Sequence, residues 1–188
     1  MNEGELILIL GGARAGKSTF ALRLARERAT STSGRVCFIA TAEALDDEMH
    51  ARIVSHRAER PSHWQTIEEP KHLDRALSQA RDADVVIVEC LTLFASNWLL
   101  ATEHESACEQ EVTRIVEDFL AISGTQRQFI ICVSNEVGLG LVPETSVGRA
   151  FRDVLGRMNQ RFAQAADRVY VLVAGLPLQL KPGAPVKL

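Results

Sequence analysis

The chain has 188 residues, of which 46% are hydrophobic and 24% charged, with a formal net charge of -3 and a pI near 6.0. This size and composition predict one domain over residues 1–188 with a substantial core. The weak negative charge argues against nucleic-acid binding, and no apolar run approaches the roughly 20 residues that span a membrane. The four cysteines form no CxxC pair, which argues against a zinc site or a disulfide framework. We therefore expect a cytoplasmic protein.

Short apolar runs alternate with helical stretches along the chain. Strands are predicted at 5–10, 35–40, 84–89, 128–134 and 168–173. Helices are predicted at 17–29, 46–57, 72–81, as a pair within 91–123, and at 147–166. This order is typical of an α/β fold with a mostly parallel sheet flanked by helices. Segment 178–181 lies between Pro177 and Pro182 and is predicted as an antiparallel edge strand, because proline is tolerated at a sheet edge.

The first predicted strand runs directly into a Gly-rich loop and then into a helix. The loop, GGARAGKS, consists of Gly11, Gly12, Ala13, Arg14, Ala15, Gly16, Lys17 and Ser18. Its glycines allow backbone N–H groups to reach phosphate oxygens at a helix N-terminus, which favours anions. Lys17 adds a charge for the outer phosphates, and the Ser18 hydroxyl can bind Mg²⁺. The pattern predicts a P-loop NTPase fold of the RecA-like kind that binds a nucleoside triphosphate.

A second metal ligand is expected at the end of another central strand. Glu89 ends the sequence Asp-Val-Val-Ile-Val-Glu, at the carboxyl edge where ligands bind in open α/β sheets. Its carboxylate can hold Mg²⁺ directly or through water, although a polar residue that simply ends a strand is the alternative. Residues 135–143 follow the strand that ends at Ser134 and lie at the same edge. They form either a substrate loop or a plain strand-to-helix connection.

His56 is the histidine of most interest on the predicted helix 46–57. Met49, Ile53 and His56 are spaced at i, i+4 and i+7, so the ring is expected to follow an apolar stripe toward the body of the protein. Arg57 and Arg60 follow it, and guanidinium groups suit phosphate. The same arginines are equally consistent with a solvated face, so these residues alone leave the role of His56 open.

Several longer segments, taken in chain order, resemble one enzyme family. They are GGARAGKS, LDDEMHARIVSHRAERPSHW, VECLT with Asn97 a few residues on, SNEVGLGLVPE and FRDVLGRMNQRFAQAADRVYVLVAG, within residues 6–181. The chain resembles the bifunctional adenosylcobinamide kinase and adenosylcobinamide-phosphate guanylyltransferase of cobalamin biosynthesis. The resemblance implies phosphorylation of adenosylcobinamide, followed by transfer of GMP from GTP to that phosphate with release of pyrophosphate. It also implies GTP and/or ATP with Mg²⁺, a corrinoid substrate and a homotrimer.

The resemblance also implies roles for individual residues. His56 matches the family's nucleophile, which takes up GMP. Lys17 is the second expected catalytic residue, and it serves phosphoryl transfer. Nucleotide contacts are implied at residues 11–18, at Ala40, Thr41 and Ala42, at Arg57, Ala58, Glu59 and Arg60, and at Glu68 and Glu89, with Ser18 and Glu89 as metal ligands. One departure is Ala15, where the family commonly has serine. Because this loop contacts phosphates mainly through its backbone, we expect a modest effect.

Two other functions are also consistent with a P-loop. Another small-molecule P-loop kinase would share the loop and the carboxylate but would need no covalent histidine. A GTP-binding regulatory switch would normally carry an NKxD-like segment after a strand, and SNEVG at 134–138 is not one. Labelling of the protein from the α-phosphate of GTP separates the first alternative from the bifunctional enzyme.

Overall fold

The computed structural model of the protein describes residues 4–44, 46–102 and 105–182. Both ends of the predicted 1–188 domain, and positions 103 and 104 within the predicted helical pair, lie outside the described residues. In chain order the elements are β1 (Glu5–Gly11), α1 (Lys17–Thr32), β2 (Val36–Ala40), α2 (Asp47–Ala58), β3 (Gln65–Glu68), α3 (Leu73–Gln79), β4 (Val85–Glu89), α4 (Leu91–Ala101), α5 (Glu105–Thr125), β5 (Phe129–Val133), α6 (Ser146–Ala165), β6 (Arg168–Val173) and β7 (Leu176–Lys181).

The strands form one sheet with the order β3-β2-β4-β5-β1-β6-β7. Every pairing among β1 to β6 is parallel, and β7 alone runs antiparallel, against β6. This confirms the predicted α/β fold and its antiparallel C-terminal edge. The last strand begins at Leu176, earlier than predicted, so Pro177 lies inside it. An edge strand accommodates that residue because one of its sides needs no ladder hydrogen bond.

The sequence pattern did not predict β3. Its four residues, Gln65–Glu68, contain a single large apolar side chain and have none of the apolar run that marked the other strands. The strand nevertheless pairs with β2 at the opposite edge of the sheet. In this register Glu68 lies beside Ala40, and Ala40 lies beside Glu89 on β4. Three neighbouring strands therefore end level with one another at the carboxyl edge.

Both faces of the sheet are covered, as expected for parallel strands. Helices α3 to α6 pack on one face, and α1 packs on the other together with Trp64. Residues Val85–Val88 of β4 are fully buried between the two layers. Full burial of an aliphatic side chain contributes about 1.5–3 kcal/mol, so these strands form a firm base for the loops at their ends. No helix among the described residues is long and apolar enough to cross a membrane.

Helix α2 differs from the other long helices. None of its side chains is buried. Met49, Ile53 and His56 are its half-buried positions, so the predicted stripe does face the protein, but it does not enter the core. Asp46 caps the helix, and its side chain accepts a hydrogen bond from the backbone N of Met49 at 2.7 Å. The helix is thus held by its capping and its end contacts rather than by apolar packing.

Candidate functional site

The Gly-rich loop connects β1 to α1 and is supported by the turn between β6 and β7. Gly175 of that turn donates a backbone hydrogen bond to the Ala15 carbonyl at 3.1 Å. A Cβ added to Gly11 would lie 2.7 Å from the carbonyl oxygen of Leu172, and Gly16 has a φ of 91°. Side chains are disfavoured at both positions, because the first lacks space and the second is in left-handed backbone. The C-terminal hairpin therefore shapes the loop.

Lys17 begins α1 and is only 8% exposed. Its Nζ donates a hydrogen bond to the Gly12 carbonyl at 2.6 Å, so the ammonium group lies over the loop. Burial lowers the pKa of Lys17, and the nearby Glu89 carboxylate opposes that shift. The N-terminus of α1 adds the partial positive charge of its unpaired N–H groups. The loop thus combines a cation and a helix N-terminus, the arrangement that binds phosphates.

Ser18 and Glu89 meet above the sheet. The Ser18 hydroxyl donates a hydrogen bond to Oε1 of Glu89. Because β5 lies between β1 and β4 in the sheet, the contact joins elements that are not neighbouring strands. A hydroxyl and a carboxylate oxygen in contact are hard ligands of the kind that Mg²⁺ prefers.

Thr41 follows β2 and is buried against the end of β4. Its hydroxyl donates to the carbonyl of Cys90 at 2.8 Å and accepts from the backbone N of Cys90 at 2.7 Å. The backbone N of Thr41 donates to the Glu89 carbonyl at 3.1 Å. Ala40 and Ala42 on either side are half-buried. This segment therefore adjoins the Ser18–Glu89 pair.

The segment after His56 is joined to β2, β3 and α1. The guanidinium of Arg60 lies 3.5 Å from the centre of the Phe38 ring, while Arg57 reaches Glu68 at 3.8 Å. Burial lowers the pKa of Arg60, and the Glu89 carboxylate opposes that shift. The carbonyl of Glu59 accepts a hydrogen bond from Arg26 at 2.9 Å, and Ala58 is exposed.

His56 lies in the last turn of α2, the helix that follows β2. Between β1 and β2 stand β5 and β4, so their ends are three strand spacings apart, or about 14 Å. The structure thus joins residues 11–18 to Glu89 through Ser18, and Thr41 is bonded to the backbone of Glu89 on its other side. Arg57, Arg60 and Glu68 meet at the ends of β2 and β3, and they form a second group with His56, which directly precedes Arg57 in the chain.

The loop between β5 and α6 also starts beside the Gly-rich loop. The backbone N of Glu136 donates to the Gly11 carbonyl at 3.1 Å. Farther along, Leu139, Leu141 and Val142 are 90%, 95% and 68% exposed. Exposed apolar side chains in such a cluster commonly mark a surface that binds something.

Buried polar residues hold the base of that loop. The Asn159 side chain accepts from the Ser134 hydroxyl at 2.7 Å and donates to the Asn135 carbonyl at 3.0 Å, while the backbone N of Asn135 donates to Thr92 at 2.8 Å. Thr92, Asn159 and a third buried polar residue, Asn97, were not predicted as functional residues from the sequence. A polar residue within an otherwise apolar helical face was the signal that could have identified them.

A cavity of about 730 Å³ lies at the opposite, amino end of the sheet. Its two acidic wall groups are already paired, since Asp167 accepts from the backbone N of Leu6 at 2.8 Å and Glu5 pairs with Arg168. Ligands of open α/β sheets bind at the carboxyl ends of the strands, so this cavity is not the candidate site.

The fold and the loop together define a P-loop nucleotide-binding protein. The flagellar accessory protein FlaH from Methanocaldococcus jannaschii has a similar fold, with a TM-score of 0.55, 19% sequence identity, and coverage of 96% of this chain and 80% of that chain. A KaiC-like protein from the hyperthermophilic archaeon Pyrococcus horikoshii gives a TM-score of 0.51 at 16% identity, covering 90% of this chain and 71% of that one. At these identities the likeness establishes the fold alone.

Comparison of sequences identifies the family. The model of the family described as "Cobinamide kinase / cobinamide phosphate guanyltransferase" matches residues 7–180. The chain is 38% identical over 185 residues to the bifunctional adenosylcobalamin biosynthesis protein CobU of Escherichia coli K12, covering 94% of this chain and 99% of that protein. It is 44% identical over 180 residues to CobP of Pseudomonas aeruginosa, covering 95% and 98%. The chain belongs to the cobinamide kinase / cobinamide phosphate guanyltransferase family, which confirms the resemblance seen in its motifs.

Proposed function

We propose that the protein catalyses two successive transfers in cobalamin biosynthesis. It phosphorylates the hydroxyl of adenosylcobinamide, and it then transfers GMP from GTP to that phosphate by way of a guanylylated His56, releasing pyrophosphate. The observation that carries the proposal is the buried Lys17 and Ser18–Glu89 pair within a chain that matches the family over residues 7–180. Such an enzyme of small-molecule synthesis is expected in the cytoplasm.

The kinase step is assigned to residues 11–18 with Glu89. The backbone of the loop and the N-terminus of α1 bind the phosphates of GTP and/or ATP, and Lys17 exchanges the Gly12 carbonyl for a phosphate oxygen. Ser18 and Glu89 fit Mg²⁺, because both offer oxygen and their side chains already meet. When bound, that ion would offset the negative charge of the phosphates during transfer.

The guanylyl step is assigned to the end of α2. The imidazole of His56 attacks the α-phosphorus of GTP, a P–N bond forms, and the bond to pyrophosphate breaks. A phosphate oxygen of the acceptor then attacks the same phosphorus, the P–N bond breaks, and the imidazole is released. Arg57 and Arg60 supply positive charge near the phosphates during both displacements. Glu68 holds Arg57 in this region through their 3.8 Å ion pair.

The corrinoid is assigned to the exposed apolar loop between β5 and α6. The base of this loop contacts Gly11, so its tip is close to the phosphate that must meet the acceptor hydroxyl. A corrin macrocycle is large and rich in methyl groups, and Leu139, Leu141 and Val142 offer it apolar contact.

A homotrimer is also proposed, as the family resemblance implies. Such an assembly would have three times the 20.7 kDa mass of one chain, which sedimentation equilibrium measures directly. A monomer mass at working concentration would contradict it.

GTP labelled at the α-phosphate tests the nucleophile. Wild-type protein should acquire a label that is labile in acid and stable in base, as expected for a P–N bond. His56→Ala should lose the label and keep kinase activity, whereas His50→Ala, an exposed histidine on the same helix, should keep both. Lys17→Ala should lower phosphoryl transfer.

Two results would contradict the proposal in different ways. An unlabelled wild-type protein would exclude the covalent guanylyl step. Equal loss of both activities in His56→Ala would show instead that the ring has a structural role.

A further inference from the structure

Asn97 is a buried amide in the mostly apolar helix α4. It is 6% exposed, and its Nδ2 donates to two backbone carbonyls, those of Thr41 at 2.8 Å and Pro70 at 3.1 Å. The acceptors lie 56 and 27 positions away in sequence, so the side chain joins separate segments rather than capping its own helix. The bond to Thr41 satisfies a buried carbonyl that would otherwise cost about 1–3 kcal/mol, and the bond to Pro70 is partly buried.

One of these bonds leads to the phosphate-binding group. Thr41 is hydrogen-bonded through its hydroxyl to both backbone groups of Cys90 and through its backbone N to the Glu89 carbonyl. Glu89 in turn accepts from Ser18. Asn97 is therefore linked to the proposed metal ligands through the backbone of Thr41 and Glu89.

The other bond leads to the group around His56. Pro70 follows the end of β3, where the backbone N of Glu69 donates to the Ala40 carbonyl at 2.9 Å. Glu68, the last residue of β3, pairs with Arg57, which adjoins His56. Asn97 thus fixes the chain segment that carries the acidic partner of the α2 end.

The two groups differ in how much other support they have. Glu89 ends β4, which pairs with a strand on each side. Glu68 ends β3, an edge strand with one partner, and α2 has no buried side chain. The α2 end is otherwise held by Arg60 on the Phe38 ring and by Arg26 on the Glu59 carbonyl, both of them side-chain contacts. Loss of the Asn97 bonds should therefore displace the segment around His56 more than the phosphate-binding group.

We propose that Asn97 is a positioning residue that holds the His56 group in register with the phosphate-binding loop. The inference rests on the proposed function of His56. A misplacement of about 1 Å at a reacting group can cost about a hundredfold in rate. Asn97→Ala should therefore slow formation of the guanylylated protein by about tenfold to a hundredfold, with a much smaller change in the kinase kcat.

The chain provides a matched control in Gln128. This residue is 5% exposed, and its Nε2 donates to the carbonyls of Ala80 and Ala83, each at 2.7 Å, at the amino end of the sheet. Gln128→Ala removes the same kind of amide donor from a similarly buried position, and that position is away from the site. Urea unfolding should show comparable destabilisation of the two variants, while the labelling rate falls only in Asn97→Ala.

The experiment measures the labelling rate from α-labelled GTP and the kinase kcat in the same preparations. Asn97→Gln keeps the amide donors and should recover part of the labelling rate, and it replaces the alanine variant if that variant does not fold. Equal labelling rates in Asn97→Ala and wild type, or an equal fall in Gln128→Ala, would overturn the inference. An unlabelled wild type would instead overturn the function proposed for His56.

Discussion

The Ser18 hydroxyl and the Glu89 carboxylate form a hydrogen bond across 71 positions of the chain. The bond joins the first turn of α1 to the end of β4, and it places two hard oxygen ligands together beside the phosphate-binding backbone. The two side chains contact each other directly. This contact fits the Mg²⁺ site proposed above, in which both oxygens hold one ion.

Removing either ligand should damage the kinase step. Ser18→Ala and Glu89→Gln should each lower kcat by about a hundredfold, because a metal at a transferring phosphoryl group contributes several kcal/mol. The double variant should lose much less than the product of the two effects, since the residues act on one ion. Kinase rates over a range of MgCl₂ concentrations measure this, with the exposed Thr19→Ala as control. Fully multiplicative losses would contradict a shared ion.

The two arginines near His56 should differ in their effect on stability. Arg60 stacks on the buried Phe38 ring at 3.5 Å, and a partly desolvated cation–π contact is worth about 1–2 kcal/mol. Arg57 and Glu68 have side chains 70% and 69% exposed, so their ion pair should contribute below about 1 kcal/mol.

Urea unfolding should therefore show a larger loss in Arg60→Ala than in Arg57→Ala. Arg60→Lys keeps the charge but loses the planar group, and it should recover only part of the difference. Equal stability of the two alanine variants would show that the stacking does not stabilise the fold.

The sequence predicted the features that depend on strong local patterns. Consecutive β-branched and apolar residues marked five parallel strands, and the glycines with Lys17 and Ser18 marked the loop. It did not predict β3, because Gln65–Glu68 is polar at both ends and is stabilised by pairing with β2. The stripe on α2 showed which face turns inward but not how far that face is buried. The hydrogen bonds of Asn97 join segments distant in sequence, and no local pattern encodes such a contact.

The apolar loop between β5 and α6 should affect binding of the acceptor, adenosylcobinamide, and not reaction with the nucleotide. The double substitution Leu139→Ser and Leu141→Ser should raise KM for adenosylcobinamide and leave the rate of labelling from GTP unchanged. Stability should change by less than about 0.5 kcal/mol, because both side chains are exposed.

Leu176→Ser is the control for this loop, since it changes a leucine that is 73% exposed on β7. That variant should keep the wild-type KM. An unchanged KM together with a lower mass in sedimentation of the loop variant would assign the loop to a subunit contact instead.

The buried thiols should make the protein less stable at high pH. Burial raises the pKa of Cys37 to about 11, so the unfolded chain loses this proton at a lower pH than the folded protein does. The unfolded state then binds fewer protons between pH 9 and 11, and the free energy of unfolding falls there by about 2 kcal/mol.

Urea unfolding at pH 8 and pH 10.5 measures this effect. Cys37→Ala should show a smaller fall than wild type, with a remainder due to Cys90, Cys108 and Cys132, whose pKa values burial also raises. An identical fall in both proteins would contradict the role of Cys37.

The lack of buried side chains on α2 has a consequence for how this enzyme can change over evolution. Most substitutions that abolish the function of a protein do so by lowering its stability below a threshold. Most of these destabilising substitutions are in the core. The helix that carries His56 contributes no residue to either core cluster. With the role proposed for His56, substitutions on this helix are expected to alter the nucleotidyl step while the phosphoryl step and the folded state are retained, so that selection can act on the two activities separately.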